Sequence, residues 1–182
     1  MGLWSKVHAE DHRLARRAIA WGPPWVRSAA AVVEETAEHT KLWCAVAGAM
    51  AAWGGWRGRV AASAGVAAMA LAQLMSNTVA KQVAQRRRPP PEWVPRENLE
   101  ERPASSSFPS GHTAAACAFV GAVTPVWPAA GVGCAVPAVL VAAQRVHSGA
   151  HYPSDVVGGC VIGLAAAALV RGAPRVLRRR LM

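Results

Sequence analysis

The sequence predicts an all-α fold, an integral-membrane helical bundle, for this chain of 182 residues. Hydrophobic residues make up 53% of the chain and charged residues only 16%. Long stretches carry no charge, and tryptophan (8) outnumbers phenylalanine (2) and tyrosine (1), as is typical of chains that meet a membrane–water boundary. Several apolar runs in so small a chain leave too little polar surface for a soluble globule. The alternative is a soluble all-α protein whose buried helices are equally apolar.

Residues 1–40 are interpreted as a separate N-terminal region. Residues 5–21 and 25–40 are predicted to form two amphipathic helices, divided by Pro23 and Pro24, because proline ends a helix. Neither segment is apolar enough to cross a bilayer, so both are expected to lie at the membrane interface. A helical hairpin packed on the bundle would explain the same pattern.

Residues 41–182 are expected to form the membrane-embedded bundle, with about five spanning helices. A helix needs about 20 apolar residues to cross ~30 Å of hydrocarbon, so the shorter runs must extend into flanking polar turns or sit in a thinned bilayer. The candidate spans are 42–56, 60–80, 112–127, 129–145 and 156–170. Residues 86–108 contain five prolines and are predicted to form a loop, and loops of this length are often functional.

The net charge of +10 indicates an anionic partner, either nucleic acid or a membrane surface. The long uncharged runs favour the membrane, and the chain has neither zinc-finger spacing nor an aromatic RNA-binding signature. The four cysteines lie inside apolar runs without a C-x-x-C pair, which predicts neither a zinc site nor a disulfide framework. The expected partners are therefore the membrane and a lipid, with no nucleic acid, and the oligomeric state is left open.

Three short polar segments at the ends of apolar runs carry the residues that indicate chemistry. In the first, KQVAQRRRP, Lys81 and Arg88 are seven positions apart, so both project from one face if the helix continues to Pro89. Two cations on one face suit an anion with several oxygens. A basic flank that ends a membrane helix is the alternative, and Arg86 and Arg87 are assigned to that role.

The second segment, Pro109 to His112, precedes an alanine-rich helix. Ser110 is placed to cap this helix, and Gly111 lets the backbone approach a ligand closely. The amides at a helix start form an anion site, and His112 lies within reach of whatever binds there. The alternative for His112 is a polar helix-start residue that faces the interface.

The third segment runs from Arg145 to Asp155. His151 and Asp155 are four positions apart at the start of the last apolar helix, so their side chains can touch. A carboxylate bonded to one ring nitrogen fixes the tautomer and makes the other nitrogen a better nucleophile. A lone surface pair is the alternative, but it does not explain why Asp155 is the only acidic residue after Glu101. His147, in the same segment, is expected to be solvated.

Together the patterns K-x6-RP, PSGH and R-x5-H-x3-D resemble the type 2 phosphatidic acid phosphatase family, whose site is shared by vanadium haloperoxidases. The resemblance implies that His151 forms a phosphohistidine, that Asp155 orients it and that His112 protonates the leaving oxygen. The implied phosphate-binding residues are Lys81, Arg88, Ser110, Gly111 and Arg145. No metal or other cofactor is implied, and the sequence offers no carboxylate cluster to hold a metal. One departure is Gln144, where the family often has serine.

The expected function is a membrane lipid phosphatase. Abundant Ala, Arg, Gly and Pro are typical of GC-rich bacterial coding, which makes a bacterial polyprenyl phosphate or diphosphate the first choice of substrate. Polyprenyl-linked phosphoribose of cell-wall arabinan assembly, phosphatidic acid and phosphatidylglycerophosphate are the alternatives. A vanadium haloperoxidase or a non-catalytic lipid-binding protein would use the same anion site.

The distribution of arginine predicts the orientation. If the three segments share one end of the bundle, the positive-inside rule makes the other end cytoplasmic. That end receives seven arginines, namely Arg57, Arg59, Arg171, Arg175, Arg178, Arg179 and Arg180. The site is then expected to face the extracytoplasmic side of a bacterial plasma membrane. The N-terminal arginines argue against this orientation if residues 1–40 share the catalytic face.

Overall fold

Every regular element in the described part of the chain is helical. The computed structural model describes residues 3–23, 25, 32–33, 40–99 and 104–181. Its helices are α1 (Leu3–Ala20), α2 (Lys41–Trp53), α3 (Gly55–Leu74), α4 (Lys81–Ala84), α5 (Arg96–Leu99), α6 (Gly111–Val123), α7 (Pro128–His147) and α8 (Pro153–Leu181). A π-helical stretch, Met75–Ala80, joins α3 to α4, and a 3-10 turn, Pro91–Trp93, precedes α5. Most of the predicted helix over 25–40 lies outside the described residues.

Helix starts follow local chemistry. Pro128 and Pro153 begin α7 and α8, at the position where proline loses no hydrogen bond. Ser110 caps α6, as the sequence predicts, because its side chain accepts a hydrogen bond from the Thr113 amide. Gly55, the first residue of α3, has a φ of +58°, a conformation that glycine adopts without steric cost.

Three of the described helices are long and apolar enough to cross a membrane, namely Gly55–Thr78, Pro128–His147 and Pro153–Ala173. The prediction of an all-α membrane bundle is therefore confirmed. Helices α2 and α6 have 13 residues each, which gives a length of about 20 Å at 1.5 Å per residue. The predicted number of about five spans stays a prediction.

Helix α6 lies at the centre of the bundle, between α3 and α8. Its Phe119 is fully buried and lies 5.2 Å from the ring of Trp43, centroid to centroid. The contact with α8 is closer still, because a Cβ on Gly159 or Gly163 would collide with backbone carbonyl oxygens of α6. Small residues four positions apart let two membrane helices approach in this way. The interface fixes how the start of α6 lies against the start of α8.

Helix α1 packs across the end of the bundle where α7 ends and α8 begins. Its buried positions are Asp11, Ala15 and Ile19, which recur every four residues on one helix face. The structure thus shows α1 packed on the bundle. Val7 and Leu14, on other faces of α1, are exposed. The expected location of α1 at the membrane interface stays a prediction.

We expect the substitution Gly163→Ala to lower stability by about 1–3 kcal/mol, the usual cost of overpacking a close interface. The added methyl group would meet the Ala114 carbonyl oxygen and push α6 away from α8. The measurement is the thermal unfolding midpoint of the detergent-solubilised protein. Gly133→Ala on α7 is the matched control, because nothing lies within 4 Å of a Cβ there. Equal midpoints for the two variants would contradict the proposed packing constraint.

Candidate active site

The three polar segments meet at one end of the bundle. The Ser110 amide donates to the Asp155 carbonyl oxygen at 3.0 Å, which joins the second segment to the third. The Arg86 side chain donates to the Asp155 carboxylate at 2.6 Å, which joins the first segment to the third. Within the third segment, the His151 amide donates to the Arg145 carbonyl oxygen at 3.0 Å. Residues separated by more than 60 positions therefore form one cluster.

His151 is buried, with 4% of its surface exposed. Its Nδ1 lies 2.6 Å from the carbonyl oxygen of Ser107. Because a carbonyl oxygen only accepts, Nδ1 carries the proton, and Nε2 keeps the lone pair that a nucleophile needs. The Asp155 carboxylate lies 3.8 Å from Nδ1, which is longer than a hydrogen bond. The Ser107 carbonyl thus fixes the tautomer, and Asp155 supplies a nearby negative charge.

Sequence reasoning missed Ser107, because its contact uses a backbone oxygen and any residue type supplies one. The serine run over 105–107, which ends directly before Phe108, was the only available signal. A hydrogen bond holds this run in place: the Ser107 amide donates to the Arg86 carbonyl oxygen at 2.9 Å. The hydroxyl of Ser106 also accepts a hydrogen bond from the Arg86 amide at 2.9 Å.

Asp155 is fully buried in the first turn of α8. One carboxylate oxygen accepts the 2.6 Å hydrogen bond from Arg86, and the other accepts from the Tyr152 amide at 2.8 Å. Burying a carboxylate is costly unless it is paired and hydrogen-bonded, and here both conditions are met. These contacts fix the carboxylate on the Nδ1 side of His151.

Arg86 is not the simple basic flank that the sequence analysis assigned. Its side chain is only 16% exposed and bridges the carboxylates of Asp11 and Asp155. The guanidinium also lies over the Tyr152 ring, 4.3 Å from the centroid. Burial alone lowers the pKa of Arg86, but the two carboxylates outweigh it and raise the pKa. Arg87 is exposed, as a flanking cation would be.

His147 also differs from its expected solvated state. Its Nδ1 lies 2.8 Å from the Ala18 carbonyl oxygen near the end of α1, and the contact is partly buried. The residue therefore connects α7 to α1. The sequence carried no sign of this contact because the partner lies 129 positions away.

Lys81 and Arg88 do not share one helix, because α4 ends at Ala84 and the chain turns at Gln85, where φ is +39°. Both nevertheless line one open cleft of about 460 Å³. The lining residues are Lys81, Gln85, Arg86, Arg87, Arg88, Ala104, Ser105 and Ser106. Burial lowers the pKa of Lys81, and the charge of Arg88 lowers it further. Arg88 also donates to the Ala150 carbonyl oxygen at 2.7 Å, one residue before His151.

Arg145 is buried at the end of α7, next to Gln144. The Gln144 side-chain oxygen accepts a hydrogen bond from Arg145 Nε at 2.5 Å. Glutamine at this position therefore provides an acceptor that orients the guanidinium. The departure from the family pattern changes the partner of Arg145 but keeps a polar group beside it.

The remaining predicted residues lie at the start of α6. Ser110 is fully buried, and its hydroxyl lies 3.0 Å from that of Thr113. A Cβ on Gly111 would make only ordinary contacts, at 3.4 Å from Gln73 and 3.5 Å from Asn77. His112 is half-buried in the first turn of α6. The phosphate-binding roles of Ser110 and Gly111 and the acid role of His112 stay predictions.

A family model confirms the resemblance that these motifs indicate. The PAP2 superfamily model matches residues 61–178, which include all three segments. The chain belongs to the PAP2 superfamily.

Solved and curated relatives agree with this assignment. The crystal structure of a transmembrane PAP2-type phosphatidylglycerolphosphate phosphatase from Bacillus subtilis aligns with a TM-score of 0.71. It is 23% identical, and the alignment covers 93% of this chain and 87% of that one, so it shows the shared fold. Lipid A 1-phosphatases of Rhizobium etli and Rhizobium johnstonii are 42% identical over 60 residues, 33% of this chain. That stretch spans about a quarter of these curated relatives, 26% and 25%.

We expect His151 to titrate below its ordinary value of 6.5, because burial lowers its pKa and Arg88 adds to the effect, although Asp155 opposes it. A lowered pKa means that the neutral ring persists into mildly acidic solution. The measurement is nuclear magnetic resonance of histidine-labelled protein in detergent, with His151→Gln to identify the resonance. A midpoint at or above 6.5 would contradict this electrostatic description of the site.

Proposed function

We propose that this PAP2 protein is a membrane lipid phosphatase that works through a phosphohistidine on His151. The observation that carries the proposal is the buried His151 ring, whose Nδ1–H is held by the Ser107 carbonyl with Asp155 behind it. Nε2 is then the nucleophilic atom, and several cations lie at the same end of the bundle. Spread positive charge of this kind stabilises the phosphoryl-transfer transition state.

In the first step, His151 Nε2 attacks phosphorus and forms a P–N bond as the bond to the lipid oxygen breaks. His112 donates a proton to that leaving oxygen. Lys81, Arg88 and Arg145 hold the phosphoryl oxygens, together with the Ser110 hydroxyl and the Gly111 amide. In the second step, His112 takes a proton from water, the water oxygen attacks phosphorus, and the P–N bond breaks to release phosphate. Covalent capture divides a difficult hydrolysis into two easier steps.

The substrate of the proposed reaction is a lipid carrying a phosphomonoester or diphosphate. The proposed site lies at the ends of helices that are long and apolar enough to cross a membrane, which supports a substrate whose phosphate lies at the membrane surface. We hold a bacterial polyprenyl phosphate or diphosphate as the first choice, with polyprenyl-linked phosphoribose and the phosphoglycerolipids as alternatives. The likeness to lipid A 1-phosphatases over 60 residues supports adding lipid A 1-phosphate to this set.

The decisive experiment is phosphate release from a panel of these lipids by detergent-solubilised protein. We expect His151→Ala to lose turnover completely and Asp155→Asn to lose it less completely, because the first removes the nucleophile and the second only the adjacent charge. Arg59→Gln, at an exposed cation at the other end of the bundle, is the matched control and should keep most of the activity.

Three results would contradict the proposal. Equal phosphate release by His151→Ala and wild type would exclude the phosphohistidine. Complete loss of activity in EDTA, restored by magnesium, would exclude a metal-independent reaction. Bromide oxidation with vanadate and peroxide, without phosphate release, would favour a haloperoxidase instead.

We further propose that the site faces the extracytoplasmic side. Arg57 and Arg59 at the start of α3 and Arg171 in the second half of α8 support this, because they lie at the other end of the bundle. Helix α1 opposes it, since α1 brings Arg13 and Arg17 to the catalytic end.

The orientation is tested with a cysteine-free variant that carries His8→Cys on the exposed face of α1. A membrane-impermeant maleimide should label it from outside intact cells. Labelling only after lysis would place the catalytic end in the cytoplasm. A cysteine in place of exposed Trp53, at the opposite end, gives the reciprocal control.

A further inference from the structure

A carboxylate from outside the three motif segments reaches the active site. Asp11, in the middle of α1, is only 4% exposed. It accepts hydrogen bonds from Arg86 Nη2 at 2.7 Å, from the Ser154 amide at 3.0 Å and from the Ser154 hydroxyl. Its neighbour Glu10 is exposed and pairs with Arg13 on the same helix. Asp11 is therefore the acidic group that α1 turns toward the bundle.

Arg86 joins this carboxylate to the one behind the nucleophile. Its Nη1 donates to Asp155 and to the Ser154 hydroxyl, both at 2.6 Å, while Nη2 donates to Asp11. The formal charges of Asp11, Arg86 and Asp155 sum to −1. Without Asp11 they would sum to zero, because Arg86 would cancel Asp155. Charges in such a poorly solvated place act on each other more strongly than in water.

The net charge of this cluster matters for the proposed reaction. When Nε2 of His151 bonds to phosphorus while Nδ1 keeps its proton, the ring becomes cationic. A neutral Arg86–Asp155 pair stabilises that cation poorly, whereas a cluster with one excess negative charge stabilises it well. We propose that Asp11 is a positioning residue of the active site, which holds Arg86 and restores the negative charge behind His151. The N-terminal helix then completes the catalytic centre, an inference that rests on the proposed function.

Other groups around His151 stay constant when Asp11 is changed. Arg88, in the loop after α4, opposes a charge on the ring. The Ser107 carbonyl and the Arg145 carbonyl accept hydrogen bonds from the residue. His12 of α1 lies behind Tyr152, with ring centroids 5.0 Å apart. The variants below leave each of these groups in place.

The test measures how kcat/KM depends on pH. On the acidic side of this profile, protonation of His151 removes the nucleophile, so the midpoint of the decline reports the pKa of His151. Asp11→Asn removes one negative charge and should shift the midpoint down by about half a pH unit. It should also lower kcat about tenfold with little change in KM, because Asp11 does not touch the substrate. Arg86→Gln removes a positive charge and should shift the midpoint up. The double variant restores the charge of −1 and should return close to the wild-type midpoint.

Two further variants separate charge from structure. Glu10→Gln removes an equal charge from an exposed position of the same helix and should leave midpoint and kcat unchanged. Asp11→Glu keeps the charge and should keep the midpoint, even if the longer side chain lowers stability. Shifts of the same sign in Asp11→Asn and Arg86→Gln, or a shift as large in Glu10→Gln, would overturn the inference.

The same variants distinguish this inference from the proposed function. The titration midpoint of His151, read by nuclear magnetic resonance, does not require turnover. If Asp11→Asn and Arg86→Gln shift the His151 midpoint in opposite directions but wild type releases no phosphate, the role of Asp11 in the charge cluster is supported and the phosphatase function is rejected. Phosphate release with identical titration in all variants would support the phosphatase and overturn the role of Asp11.

Discussion

The buried carboxylate of Asp155 is the constraint on which the rest of this structure depends. A charge without water must be paired and hydrogen-bonded, and Asp155 meets that requirement with groups from two segments. Arg86 comes from the loop after α4, and the Tyr152 amide comes from the turn before α8. Because Arg86 is itself largely buried, its second amino group also requires a hydrogen-bond acceptor, and Asp11 supplies one. One acidic residue thereby fixes the positions of a loop, a turn and the N-terminal helix.

Close helix packing brings the other half of the site to this carboxylate. Glycines on α8 allow α6 to approach until the Ser110 amide bonds to the Asp155 carbonyl oxygen. In a membrane the hydrophobic effect does not drive helices together, so complementary shape and small residues determine which helix faces pack against each other. Small residues thus allow the contact between the starts of α6 and α8, because bulkier residues would separate these helix ends.

Much of this arrangement could be predicted from residue type and spacing. The apolar runs located the long helices, and Ser110 was correctly expected to cap α6. The four-residue spacing of His151 and Asp155 predicted their proximity, and the three motifs predicted the family. These features are local or depend on side-chain chemistry, so the sequence expresses them directly.

Other contacts could be decided only by tertiary structure. A run of three arginines does not predict that Arg86 is buried against Asp155 while Arg87 is exposed, because this difference depends on how the chain turns after α4. The tautomer of His151 is fixed by the backbone oxygen of Ser107, which no residue type encodes. Asp11 reaches Ser154 across 143 positions. The sequence determined which chemical groups were available, and folding decided which of them share one buried volume, because burial and pairing depend on neighbours distant in the chain.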